Sequence, residues 1–173
     1  MQRLAVGVSL LFLFIFMLSP AFAQGETAVA VATAELRDVQ GRVMGAANFA
    51  QAADGTVTVE IKVSGFNPIA GGHGVHIHQV GRCEAPDFSS AGEHFNPTSA
   101  QHGAENPAGQ HGGDLPNMQF YGDGSGDYRA TTKSFTLTAG TASVFDADGS
   151  AIMIHASPDD YKTDPSGNSG DRI

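Results

Sequence analysis

Tryptophan is absent from this chain, cysteine occurs once, at Cys83, and basic side chains are half as many as acidic ones, 9 against 18. Each scarcity excludes something. A lone thiol has no partner among these 173 residues, so no disulfide framework can be read from them. The shortage of cations argues against nucleic acid and against anionic membrane surfaces, both of which are held through Lys and Arg. It also means that an anionic substrate would need a local concentration of positive charge. Helical periodicity is missing as well: nowhere do apolar residues recur at i, i+3, i+4 over several turns. The 22 glycines fit short strands joined by turns.

The first 23 residues stand apart from the rest. Arg3 precedes an apolar run that reaches Leu18, and Ala21-Phe22-Ala23 is a small-x-small cleavage site. This reads as a secretory signal peptide over 1–23, with a mature domain over 24–173. The apolar core is short for a membrane anchor and a cleavage box follows it at once. No cysteine follows it for lipid attachment, so we expect a soluble, exported product, periplasmic or extracellular. Losing Arg3 takes the formal charge from −9 to about −10. About 150 residues is one domain.

Beyond the leader the pattern has period two. Val57, Val59, Ile61 and Val63 alternate with Thr58, Glu60, Lys62 and Ser64, a half-buried strand between turn glycines. Thr27–Leu36 and Gly41–Phe49 predict two earlier strands, the second split by Gly45. Leu115–Tyr121, Asp127–Leu137, Thr141–Phe145 and Ala151–His155 predict further ones, separated by Asp123-Gly124, Ala139-Gly140 and Asp148-Gly149. Seven or eight short strands with regular turns predict an all-β sandwich or barrel.

The chemistry is concentrated in Gly71–Asp114. Six of the seven histidines fall there: His73, His76, His78, His94, His102 and His111. His76 and His78 sit in a β-branched run, and residues two apart on a strand share a face, so two imidazoles aim at one spot. The 33 residues that follow, 81–113, hold no run long enough for an element, and a loop of that length in a compact domain tends to be functional. His155 ends a later apolar strand, and a second polar loop, 156–173, follows it. One lone His in a β domain is more often a hydrogen-bonded structural residue than a ligand; seven grouped this way point to metal. Imidazole suits copper and zinc, and three histidines with one carboxylate suit a closed zinc site.

HGVHIHQVG, SAGEHFNP, QHG, HGGDLPN, IHASPDDY and PSGNSGDRI, in that order and spacing, resemble the copper/zinc superoxide dismutases, in particular their exported bacterial branch. The resemblance covers most of Gly55–Ile173. It implies an eight-stranded Greek-key β-sandwich or flattened barrel, immunoglobulin-like, with two long functional loops. It implies copper on His76, His78, His94 and His155, and zinc on His94, His102, His111 and Asp114, with the His94 imidazolate between them. Asp159 becomes the outer carboxylate tying His76 to His102, and His73 a hydrogen-bonding residue without metal. Bottom-up, Asp159 alone would read as a solvated turn residue.

The activity implied is conversion of two superoxide anions to dioxygen and hydrogen peroxide by alternating copper oxidation states. His94 is the proton carrier in that scheme. Arg172 is the anion guide and Lys162 an added steering charge, although Lys162 reads equally well as an ordinary exposed lysine. Electrostatic steering is a known property of this family and weakens with salt. A homodimer is a state the resemblance admits.

One departure concerns Cys83. Family members pair the cysteine at this position with one shortly after the match to Arg172, and here the sequence stops at Ile173. Either the last strand and the partner cysteine lie past that point, which is the expectation, or this is a natural variant without the bridge and without a full last strand. Without them an unpaired thiol stands in an oxidising compartment, and losing such a bridge costs about 2–5 kcal/mol. Two rival readings stand beside this one. A non-enzymatic copper/zinc binding or delivery module with this fold would be favoured by loss of a copper ligand or of Arg172. A cupin-like metalloenzyme is loosely echoed by His76-x-His78 and Glu84, but it leaves His94, His102, His111 and Asp114 unexplained.

Overall fold

The computed structural model describes residues 28–66 and 69–173; the leader and its cleavage site lie outside them. The strands are β1 (Ala30–Arg37), β2 (Val43–Gln51), β3 (Val57–Val63), β4 (Gly71–His78), β5 (Asp114–Phe120), β6 (Gly126–Thr132) and β7 (Ala151–Ile154). The one helical element among the described residues is a 3-10 turn at Ser89–Ala91. All seven strands form one antiparallel sheet in the order β1-β2-β3-β6-β5-β4-β7. Strands β4, β5 and β6 are consecutive neighbours, β3 lies beside β6, and β7 crosses back to lie beside β4. These are Greek-key connections.

Alternation along the strands creates a single interior. Val57, Val59, Ile61 and Val63 are buried while Glu60 and Lys62 face water. They meet Val75 and Ile77 of β4, Leu115, Met118 and Phe120 of β5, and Ile152 and Ile154 of β7 in one cluster. That cluster takes side chains from both halves of the sheet, so the sheet curls into a flattened barrel. Each such side chain contributes about 1.5–3 kcal/mol of burial.

The sequence-based boundaries differ in two places. β2 runs unbroken through Gly45, which pairs with Val63. A Cβ at Gly45 would overlap the Lys62 main chain and stand 2.9 Å from Val63 Cα, so the glycine permits close approach of two strands instead of interrupting one. Thr141–Phe145 is not a strand, which leaves seven strands among the described residues where eight were expected. That stretch folds back on its own loop through Thr136 N–H to Ala142 O (2.8 Å) and Val144 N–H to Thr136 O (3.0 Å). The strand predicted over Asp127–Leu137 ends at Thr132; Phe135 and Leu137 then turn into the core, where Leu137 N–H donates to Gln51 Oε1 at 2.7 Å.

Candidate metal centre

Strand parity decides which histidines can meet. On β4, His73, Val75 and Ile77 point into the barrel, and His73 packs edge-on against Phe120 with ring centroids 5.0 Å apart. His76 and His78 share the opposite face, under the long loop 79–113. His73 therefore stands outside the cluster, its Nδ1 2.7 Å from the carbonyl of His155. On β7, Ile152 and Ile154 face the core, so His155, one residue on, projects to the same side as His76 and His78.

The loop is sewn to the strand ends. Phe95 is buried in the core, its N–H donates to Ile77 O (2.8 Å) and its carbonyl accepts from Gly113 N–H (2.8 Å). Ile77 N–H in turn donates to Gly113 O (2.9 Å). This three-way stitch carries His94 alongside His78. Gly113 has no room for a side chain: a Cβ would stand 3.1 Å from Ile77 C and 3.2 Å from Phe95 N, and closer still to Ile77 O.

Two sets of donors result, and His76 and His94 belong to both. Ligand atoms of His76, His78, His94 and His155 lie within 4.8 Å of one another, as do those of His76, His94, His102 and Asp114. Asp114 Oδ1 lies 3.1 Å from His94 Nδ1, 3.0 Å from His102 Nδ1 and 3.3 Å from His111 Nδ1. His94 and His111 Nδ1 are 3.4 Å apart. A tetrahedral ion with ligand distances of about 2.0–2.1 Å has edges of about 3.3 Å. These separations fit such an ion. His111 is in neither of these sets although it adjoins His94 and Asp114; its side chain and all six of the two sets are buried.

The other ring nitrogens are committed, which fixes what each imidazole offers. His78 Nδ1 donates to Gly92 O (2.9 Å) and His155 Nδ1 to Gly170 O (3.0 Å), leaving both Nε2 atoms as acceptors, 3.5 Å apart. His76 Nε2 contacts Asp159 Oδ2 (2.8 Å), and its Nδ1 is buried with no partner. A lone pair left unmatched among three other imidazoles, in a fully buried ring, is what a metal ligand looks like before the metal binds. The residues present fit copper on an all-histidine set and zinc on the set containing Asp114.

The electrostatics agree. Burial pushes His78 down to about 2, His155 to about 3 and His94 to about 4, so these rings stay neutral, as ligands must. Burial also acts to lower His102, but its contacts with Asp114 and Asp159 outweigh it and raise that ring to about 9. Burial works to raise both carboxyls, and hydrogen bonds from the histidines and main chain hold them well below the ordinary range.

Asp159 bridges the sets, with Oδ2 at His76 Nε2 and Oδ1 at His102 Nε2 (3.0 Å). Arg172 donates from Nη1 to Phe88 O and from Nη2 to Gly92 O, both 2.6 Å. The Gly92 carbonyl is shared with His78, so the guanidinium is tied to the histidine set. Lys162 is exposed and paired with Glu105 at 2.7 Å. Cys83 is exposed and free. Glu84 is exposed and lies outside both sets. Sequence reasoning missed Asn117, Tyr161 and Gly167, which position Asp159 without offering a ligand atom.

Comparison with known proteins decides the family. Residues 43–173 match the family described as copper/zinc superoxide dismutase. The chain belongs to that family. It is 42% identical over 145 residues to superoxide dismutase [Cu-Zn] 2 of Aquifex aeolicus, covering 82% of each chain. To the superoxide dismutase-like protein YojM of Bacillus subtilis it is 40% identical over 140 residues, 80% of this chain and 71% of the relative. The crystal structure of a superoxide dismutase-like protein from Bacillus subtilis superposes with a TM-score of 0.78 at 38% identity, covering 83% of this chain and 96% of that one. Family membership brings copper and zinc as the family's metals. Among the described residues no helix is long and apolar enough to cross a membrane.

Proposed function

We propose that the protein is an exported copper/zinc superoxide dismutase, with copper on His76, His78, His94 and His155 and zinc on His94, His102, His111 and Asp114. The observation that carries this reading is that two donor sets of different chemistry meet at His94, which belongs to both, as His76 does, and whose Nδ1 lies 3.1 Å from Asp114 Oδ1. When bound, copper supplies a one-electron couple between two superoxide anions, and zinc a fixed charge on the shared ring.

The chain's own residues do the rest. Neutral imidazoles on rigid strand ends hold geometry constant across a change of oxidation state. His94 Nδ1 is committed to the Asp114 side, so Nε2 is the atom that takes up and hands on the proton needed for peroxide. Burial keeps that proton weakly held. Arg172, its guanidinium anchored by two carbonyls, is the cation that guides the anionic substrate in a chain of net charge −9. The leader, residues 1–23, directs the product to a periplasm or the outside medium.

Metal content and superoxide dismutation of protein expressed from Gln24, with a His155→Ala variant beside it, test the reading. We expect about one copper and one zinc per chain, and activity that disappears in the variant together with its copper. Bound metal without dismutation would favour the second reading, a copper/zinc binding or delivery module. The superoxide dismutase-like name of one relative is the observation on that side.

A further inference from the structure

We infer that Tyr161 is a positioning residue for the metal centre, setting the Asp159 carboxylate between His76 and His102 before any ion arrives. The inference rests on the metal-centre reading above and extends it to a residue that offers no ligand atom.

The argument begins on β5. Opposite Gly74 the β4–β5 ladder slips: His73 pairs with Met118 but Val75 pairs with Leu115, so Pro116 and Asn117 form a bulge. The bulge takes the Asn117 N–H out of the ladder. That N–H finds the Tyr161 hydroxyl at 2.8 Å. The Asn117 side chain grips the tail twice: its Oδ1 accepts from Asp159 N–H (2.8 Å) and its Nδ2 donates to Asp159 O (2.9 Å).

Tyr161 then closes the circuit with its main chain. Its N–H donates to Asp159 Oδ1 at 2.6 Å, beside the His102 contact on the same oxygen. Its carbonyl accepts from Glu105 N–H (2.9 Å), three residues past His102. Gly103, next to His102, packs so closely on this carbonyl that a Cβ there would stand 2.7 Å from Lys162 N. Tyr161 holds φ +62°, a conformation that a bulky residue keeps only where its surroundings determine it. Three segments therefore meet at one residue, through its hydroxyl and its main chain: the bulge of β5, the loop around His102 and the tail carrying Asp159. Removing the hydroxyl leaves the half-buried Asn117 N–H without its partner and loosens the carboxylate that orients His76 and His102.

The test is zinc affinity of Tyr161→Phe, measured at 25 °C by competition with a chromogenic chelator, together with the visible spectrum of Co(II) in the zinc set. Tyr128→Phe is the control, since the Tyr128 hydroxyl is buried and has no partner. We expect zinc binding weakened about 10-fold or more in Tyr161→Phe, with altered Co(II) bands, and no change in Tyr128→Phe. Asn117→Ala should show the same loss, and the double variant Tyr161→Phe/Asn117→Ala no greater loss than Asn117→Ala alone, because the two act as one unit. Wild-type affinity and spectrum in Tyr161→Phe would overturn the inference alone, as would full additivity with Asn117→Ala. Absence of zinc from the wild-type protein would overturn the metal-centre reading and this inference with it.

Discussion

Gly167→Ala should disable the centre without touching a ligand. Gly167 lies in the tail with φ +63°, its N–H donating to Thr163 O (2.7 Å) and its carbonyl accepting from Asp160 N–H (2.9 Å). A Cβ built there would stand 2.5 Å from Asp159 Cγ and 2.7 Å from His102 Nε2. Both lie about 0.8–1.5 Å inside ordinary contact, and neither neighbour is free to yield. Asp159 is held by Asn117 and Tyr161, and His102 by two carboxylates. The carboxylate must therefore leave His102 or His76.

Two costs combine in that variant. The backbone conformation alone costs about 1–3 kcal/mol for a residue with a Cβ. Losing the outer carboxylate costs about 10–100-fold in metal affinity. Gly41→Ala separates them, because Gly41 has φ +77° and nothing within 4 Å of a Cβ. Both variants should lose stability by similar backbone strain in urea unfolding of the metal-free protein, with Gly167→Ala losing more. Only Gly167→Ala should lose copper and zinc affinity in competition titrations. Equal metal affinities for the two variants would refute the reasoning that Asp159 has no room to move.

Four further outcomes are expected. Asp159→Asn should weaken copper and zinc binding together, by about 10–100-fold each, in the same titrations; an effect confined to one metal would contradict the bridge. For the metal-free protein, His78, His94 and His155 have folded pKa values below the unfolded 6.5, so the unfolded chain binds more protons. Stability is then full above pH 6.5 and falls as pH drops toward 3, by up to about 1.4 kcal/mol per pH unit for each ring; His102, raised to about 9, contributes in the opposite sense and loses its share as pH rises through 9. Urea unfolding from pH 8 to 4 measures the balance. Arg172→Ala should lower kcat/KM and flatten its dependence on salt, read by stopped-flow dismutation at several ionic strengths. Phe135→Ala, which empties a fully buried ring site, should destabilise the protein by about 3–5 kcal/mol in denaturant unfolding.

Strand alternation made β3 legible in advance, because its buried and exposed residues follow sequence parity without exception from Val57 to Val63. The His-x-His pair was legible for the same reason. Parity also explains why His73 stands apart, although its spacing from His76 does not announce it. Thr141–Phe145 misled because an apolar, β-branched run says nothing of a ladder partner, and here the run folds onto Thr136 while Phe145 remains 62% exposed. Gly45 misled in the opposite direction, since a glycine that breaks a strand and one that lets strands approach look alike in sequence. The donor residues could be found by type and order, but their division into two sets depends on folding a long loop back over strand ends. The positioning residues Asn117, Tyr161 and Gly167 were invisible, because their roles lie in a bulge, a left-handed turn and a missing Cβ.

The central claim is that His94 offers a different nitrogen to each of two ions. Anomalous diffraction from crystals of the metal-loaded protein, collected at the copper and zinc edges, tests it directly. The account predicts copper among His76, His78, His94 Nε2 and His155, and zinc among His94 Nδ1, His102, His111 and Asp114. A single shared ion, or two ions of which one does not touch His94, would contradict it.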